Sequence, residues 1–122
     1  MNFIGIDWGK SKIGIAIGDD ELKIASPFCI VSNFDELLKI IEEEQIDKAI
    51  LGRPIKMGGE NATFTEEYDA FCNRLKKHVS LELIDERLTT KHASGLIRPL
   101  KLKLKEDSVA AMLILQAYLD KI

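Results

Sequence analysis

Three carboxylates sit where the surrounding residues point to the ends of regular elements. Asp7 closes the apolar run of Phe3, Ile4 and Ile6; Glu86 follows Leu81, Leu83 and Ile84; Asp107 stands ahead of an apolar-periodic segment beginning near Ala110. An acid that ends an apolar strand is costly to desolvate unless it has a partner. A cation is one such partner, because scattered carboxylates completed by water are the hard oxygen set that Mg²⁺ or Mn²⁺ prefers. Two such ions can stabilise both the attacking and the leaving oxygen of a phosphodiester displacement, so Asp7, Glu86 and Asp107 are the candidate catalytic and metal-holding residues. Each also has a plainer reading. Asp before an apolar-periodic run is a favoured helix cap, which suits Asp107, and Asp85 and Glu86 can end a strand paired with Arg87 or a neighbouring lysine.

Charge is unevenly distributed around these acids. From Arg87 to Lys105 the chain carries Arg87, Lys91, Arg98, Lys101, Lys103 and Lys105 with no acid, which reads either as a phosphate-binding stripe or as a solvated loop. Between Ser32 and Asp47 the balance reverses: Asp35, Glu36, Glu42, Glu43, Glu44 and Asp47 face a single Lys39, and that surface should repel phosphate. The net charge of -3 gives no global attraction to polyanions, so any nucleic-acid contact must be local.

The 122 residues suit one domain. With 46% apolar and 30% charged residues the composition is that of a globule and argues against a disordered or fibrous chain. Cys29 and Cys72 are far apart with no ligand-spaced His or Cys beside them, which suggests buried thiols in a reducing compartment and argues against zinc. Met1 leads into the strand pattern without a basic leader, and no apolar run approaches the roughly 20 residues of a membrane span, so a cytoplasmic protein with no membrane partner is expected. His78 and His92 read as surface or cap residues. Trp8, placed opposite Asp7 by strand alternation, reads as core.

The elements that must position the acids follow from periodicity. Asn2 to Trp8 and Lys12 to Gly18 form two antiparallel strands, and Leu22 to Val31 a third, with Pro27 favouring an edge or a bulge. Asn33 with Glu36 resembles a capping pair for a helix carrying Phe34, Leu37, Leu38 and Ile41 and ending near Gln45. A strand over Lys48 to Gly52, a helix starting at Thr63, a strand through Leu81 to Ile84, a short helix from Thr89 to Ile97, an extended connection to Lys105 and a last helix opened by Asp107 complete the order. Opening turns too short for crossovers require a mixed sheet. Right-handed crossovers then give the order 3-2-1-4-5 with helices on both faces. In such α/β sheets ligands bind beyond the carboxyl ends of the parallel strands, where Asp7 and Glu86 fall.

Four stretches in this order resemble the YqgF (RuvX) family of RNase H-like proteins. They are Gly5-Ile6-Asp7-Trp8-Gly9 with Ile13-Gly14-Ile15-Ala16, Gly52-Arg53-Pro54 with Met57-Gly58-Gly59, Asp85-Glu86-Arg87-Leu88-Thr89-Thr90, and Asp107 with Ala110-Ala111 and Ile114 to Asp120. That family is described both as Holliday junction resolvases and as nucleases trimming the 5′ end of pre-16S rRNA. The resemblance implies an RNase H-like fold, Asp7, Glu86 and Asp107 as metal-binding acids, and Arg53, Arg87 and Thr89 near the substrate backbone; Lys10, Lys12 and Lys91 are further candidate contacts. Two departures stand out. Lys10-Ser11-Lys12 replaces the family's usual threonine followed by two basic residues, and the connection before Asp107 is shorter than is common. The expected function is metal-dependent hydrolysis in structured nucleic acid, pre-rRNA or branched DNA, by a monomer or homodimer. A non-catalytic nucleic-acid-binding module would lack one or more acids, and none is missing. An actin-like ATPase would need two lobes, for which the chain is too short.

Overall fold

Alternation of branched apolar residues with glycine and alanine sets the first two strands, β1 (Asn2–Asp7) and β2 (Ile13–Asp19), which pair antiparallel with Ile4 opposite Ile17 and Asp7 opposite Gly14. The computed structural model describes residues 1–9, 11–53, 62–85 and 106–122, with the backbone alone at 62–65, 85, 106 and 107. β3 (Ser26–Val31) is the edge strand beside β2, and the pairing shifts between Ile15 and Ala16, where Cys29 and Pro27 are the respective partners. Pro27 therefore sits at both an edge and a bulge, the two places where its missing N–H costs least. The strand is shorter than its sequence pattern, because Leu22 to Ala25 form the connection.

α1 (Phe34–Glu43) is capped by Asn33, whose side chain accepts from the Glu36 N–H at 2.9 Å, while the Glu36 carboxylate reaches back to the Ser32 N–H at 2.7 Å. It ends in a Schellman turn: the Ile46 N–H donates to Ile41, the Gln45 N–H donates to Glu42, and Gln45 takes φ 52°. β4 (Lys48–Arg53) then runs parallel to β1. α2 (Ala62–Leu75) starts before Thr63, which therefore lies inside the helix and not at its cap. β5 (Ser80–Asp85) lies parallel to β4, and α3 (Glu106–Leu119) closes the order. The expected short helix over 89–97 and the connection to 105 lie outside the described residues.

The sheet order is β3-β2-β1-β4-β5, mixed as expected. Two cores follow from strand alternation. One face buries Ile4, Ile6, Ile15 and Leu51 under Phe34 and Leu37 of α1 and Phe71 and Leu75 of α2. The other buries Phe3, Ala16, Ile50 and Ile84 under Ala111, Ile114, Leu115 and Tyr118 of α3. Helix α3 is apolar nearly all round because it lies against all five strands of the sheet. Among the described residues no helix is long and apolar enough to cross a membrane.

Candidate nuclease site

Asp7 is the last residue of the central strand β1 and is half-buried. Alternation puts it on the same face as Phe3 and Gly5, the face covered by α3. The contacts along that face fix the helix direction. The Phe3 ring meets Tyr118 edge-on at 5.5 Å, whereas a Cβ at Gly5 would lie 2.6 Å from Leu115 Cβ and 2.7 Å from the Ala111 carbonyl oxygen. As β1 runs toward Asp7, α3 therefore runs backward toward Asp107. Two strand residues rise about 6.6 Å and four helical residues about 6 Å, so the next matching step brings the backbone to Asp7 on β1 and the Asp107 turn on α3. Asp107 is the second residue of the helix, not its cap.

The parallel strands end on the same side. Leu51 of β4 registers with both Ile6 and Leu83, and Arg53, the last residue of β4, registers with Asp85, the last of β5. Glu86 follows Asp85 in the chain and lies outside the described residues, as do Lys10, Arg87, Thr89 and Lys91. Arg53 is exposed at the strand end, and Lys12 is exposed just ahead of β2. A Cβ at Gly9 would come within 2.8 Å of the Lys12 carbonyl oxygen, so the turn after Asp7 has room only for glycine there. Among the described residues no three acid, His or Cys side chains converge on a common ion, and Asp7 is the one member of the proposed set whose side chain is described.

The scaffold under this edge is aromatic. Trp8 packs on the opposite face from Asp7, against Tyr68 at 5.9 Å and Phe71 at 6.2 Å, as a core residue should. The buried Tyr68 hydroxyl donates to the Gly52 carbonyl at 2.9 Å, tying α2 to β4 one residue before Arg53. The sequence places Tyr68 only on an apolar helix face; nothing in its spacing marks the hydroxyl as an anchor for the strand end. Gly5 likewise lets α3 press directly onto β1, an approach that its place in an apolar strand does not announce. Cys29 and Cys72 are free and half-buried, with burial the main cause raising each thiol, so neither is set up as a nucleophile. The acidic end of α1 lies at the other end of the sheet, where the Asp47 N–H donates to the Asn2 carbonyl at 2.8 Å. Glu42, Glu43, Glu44 and Asp47 are thus kept away from Asp7, whereas Asp35 and Glu36 follow β3, whose last residue Val31 pairs with Ile13 at the Asp7 end of the sheet.

Comparison with known proteins identifies the family and the fold. The family model described as "RuvX: Holliday junction resolvase" matches residues 1–121. The chain belongs to the RuvX family. A Rickettsia typhi relative named "Putative pre-16S rRNA nuclease" is 37% identical, with 98% of this chain and 85% of that protein aligned. A Chloroflexus aurantiacus protein of the same name is 32% identical over 96% of this chain and 85% of its own length. Among solved structures, T. thermophilus RuvC in complex with a Holliday junction substrate superposes with a TM-score of 0.66 at 11% identity, covering 99% of this chain and 94% of that one. The Fowlpox virus resolvase bound to Holliday junction DNA gives 0.53 at 13% identity, with 99% and 98% covered. The shared fold is RNase H-like, and the RuvX family places this chain among hydrolases of phosphodiester bonds.

Proposed function

We propose that this RuvX-family chain is a cytoplasmic, metal-dependent nuclease that processes the 5′ end of pre-16S rRNA, using Asp7, Glu86 and Asp107 to hold Mg²⁺ or Mn²⁺. One observation carries the reading: Asp7 ends the central strand on the face where α3, pressed onto Gly5, runs back toward the same edge with Asp107 in its first turn. The donor chemistry fits a hard divalent cation, since the three residues offer carboxylate oxygens and no thiol or imidazole. Bound there, such an ion supplies an activated water and charge stabilisation on the phosphoryl oxygens.

The chain's own residues do the rest. Asp7 ends a central strand with neighbours on both sides and pairs with Gly14 of β2, so its backbone is held without loop freedom. Glu86 follows Asp85, the last residue of β5, in the chain, and Asp107 lies in the first turn of α3. Arg53 at the exposed end of β4, Lys12 before β2, and Lys10, Arg87, Thr89 and Lys91 in the adjoining segments orient the phosphate backbone without reading sequence. A second reading, cleavage of branched DNA, is favoured by the resolvase description of the matching family. The two share their chemistry and differ in substrate.

A precursor rRNA leader and a four-way DNA junction, each incubated with wild type and with Asp7→Asn in Mg²⁺ and in Mn²⁺, separate these readings. We expect faster cleavage of the rRNA leader and a loss of about hundredfold or more in Asp7→Asn, the scale of several kcal/mol of ion-derived stabilisation. Preference for the junction would transfer the assignment to DNA. Equal rates for wild type and variant on both substrates would remove the catalytic assignment.

A further inference from the structure

The end of the sheet opposite Asp7 carries a groove of about 300 Å³ between the β2–β3 connection and the end of α1, lined by Leu22, Ile24, Ile17, Ile46, Asp19 and Glu44. Two of its apolar walls are in water: Leu22 is 72% and Ile24 61% exposed. Isolated exposed leucines need no explanation, but two branched residues beside a groove and held rigidly do.

The connection is held from several directions. Asp19 Oδ1 accepts from the Glu21 and Leu22 N–H groups at 3.1 and 2.9 Å, and the Asp19 carbonyl accepts from the Lys23 N–H at 3.1 Å. Gln116 of α3 accepts from the Ala25 N–H and donates to the Lys23 carbonyl, both at 2.9 Å, and Lys23 Nζ donates to the Ile122 main-chain oxygen at 2.8 Å. These bonds keep Lys23 at φ 55°, left-handed backbone that a side-chain-bearing residue adopts only when its surroundings impose it. The second such residue among the described ones, Gln45, lies on the opposite side of the same groove, between Glu44 and Ile46. Asn2 bridges there, donating to the Glu44 and Gln45 carbonyls at 3.4 and 3.3 Å.

Charge selects the occupant. Asp19, Asp20, Glu21, Glu42, Glu43, Glu44 and Asp47 are in the two segments that form the walls. Three cations at this end are held by the fold: the Met1 ammonium pairs with Asp20 at 3.1 Å, Lys48 pairs with Glu82 at 3.1 Å, and Lys23 Nζ donates to the Ile122 main-chain oxygen. Nucleic acid and anionic lipid are repelled by such a rim. A polypeptide segment with basic residues around a bulky apolar side chain complements both the rim and the floor.

We propose that the groove between Leu22-Lys23-Ile24 and Glu44-Gln45-Ile46 is a docking site for a basic polypeptide segment with an apolar anchor. The site lies at the far end of β1 from Asp7, so a bound segment leaves the catalytic edge open. The proposal stands apart from the nuclease reading, and its test uses no cleavage assay.

The test is titration of the isotope-labelled full chain, at physiological salt, with three synthetic peptides: lysines flanking two leucines, the same with serine for leucine, and the same with glutamate for lysine. Amide shifts confined to residues 2, 19–26 and 44–47 with the first peptide alone are expected. Leu22→Ser/Ile24→Ser and Glu43→Lys/Glu44→Lys should each weaken binding about tenfold or more with the melting temperature little changed, the loss typical of a buried apolar or charged anchor. Shifts spread over all acidic surfaces, binding indifferent to Leu22 and Ile24, equal binding of the glutamate peptide, or no localised binding by the first peptide would each overturn it. So would concentration-dependent self-association through these residues that the first peptide does not displace, or adsorption to phosphatidylserine vesicles abolished by Leu22→Ser/Ile24→Ser.

Discussion

Gly5 and Leu115 define how close the last helix comes to the sheet: a Cβ at position 5 would stand 2.6 Å from the Cβ of Leu115, nearer than real side-chain carbons approach. That contact sets the height of α3 over β1 and, through it, the position of the first helical turn, which contains Asp107. Gly5→Ala should destabilise the fold by about 1–3 kcal/mol, the usual result of overpacking. Cleavage should fall further than the folded fraction, because the displaced helix carries Asp107 with it. Thermal melts alongside rates measured well below the melting point check both; an unchanged melt would show that α3 is not seated on Gly5.

Metal binding should depend on three residues that are far apart in the chain. Calorimetric titration with Mn²⁺ is expected to show binding to wild type and a loss of at least about tenfold in each of Asp7→Asn, Glu86→Gln and Asp107→Asn, since loss of a ligand costs at least as much as loss of its support. Asp107 has a distinguishing outcome. If it serves only the helix N-terminus, Asp107→Asn will lower stability by about 0.3–1 kcal/mol and leave Mn²⁺ affinity intact.

Arg53 is exposed at the end of β4 and should act through phosphate alone. Arg53→Ala should weaken nucleic-acid binding similarly on all sequences and reduce the salt dependence of log K by about 1. Stability should change by less than about 0.5 kcal/mol, as at other exposed sites. Binding isotherms at several salt concentrations measure it, and an unaltered slope would take Arg53 out of the interface.

The two thiols supply a pH signature. Burial, joined at Cys29 by the charge of Glu36, raises both above the ordinary thiol range; at Cys72 a hydrogen bond with Tyr68 opposes the rise without cancelling it. A group whose folded pKa lies above its unfolded one contributes stability that is complete below the unfolded value, about 8.5, and is lost as pH rises through the folded value. Native protein should therefore resist iodoacetamide at neutral pH, and its melting temperature should fall in the alkaline range less steeply in Cys29→Ala/Cys72→Ala. Fast alkylation at neutral pH would contradict the burial of both thiols.

Local chemistry alone determined a good deal here. Asn33 and Glu36 announce the start of α1 because an N-cap and its reciprocal acid act within four residues. The alternation of Ile13, Ile15 and Ile17 with small residues marks β2, and short opening turns force a mixed sheet whatever the rest of the chain does. The acid at the end of β1 is conspicuous because an apolar strand has no local use for it. Thr63 and Glu66 have the spacing of a cap, yet α2 begins at Ala62, within the one or two residues by which helix ends vary. Other features depend on distance across the fold. Tyr68 becomes an anchor for β4 only because Gly52 arrives beneath its hydroxyl. The running of α3 back toward Asp7 is decided by contacts more than 100 residues apart in sequence, such as Gly5 with Ala111 and Phe3 with Tyr118, and no periodicity within either segment can encode which way one lies on the other.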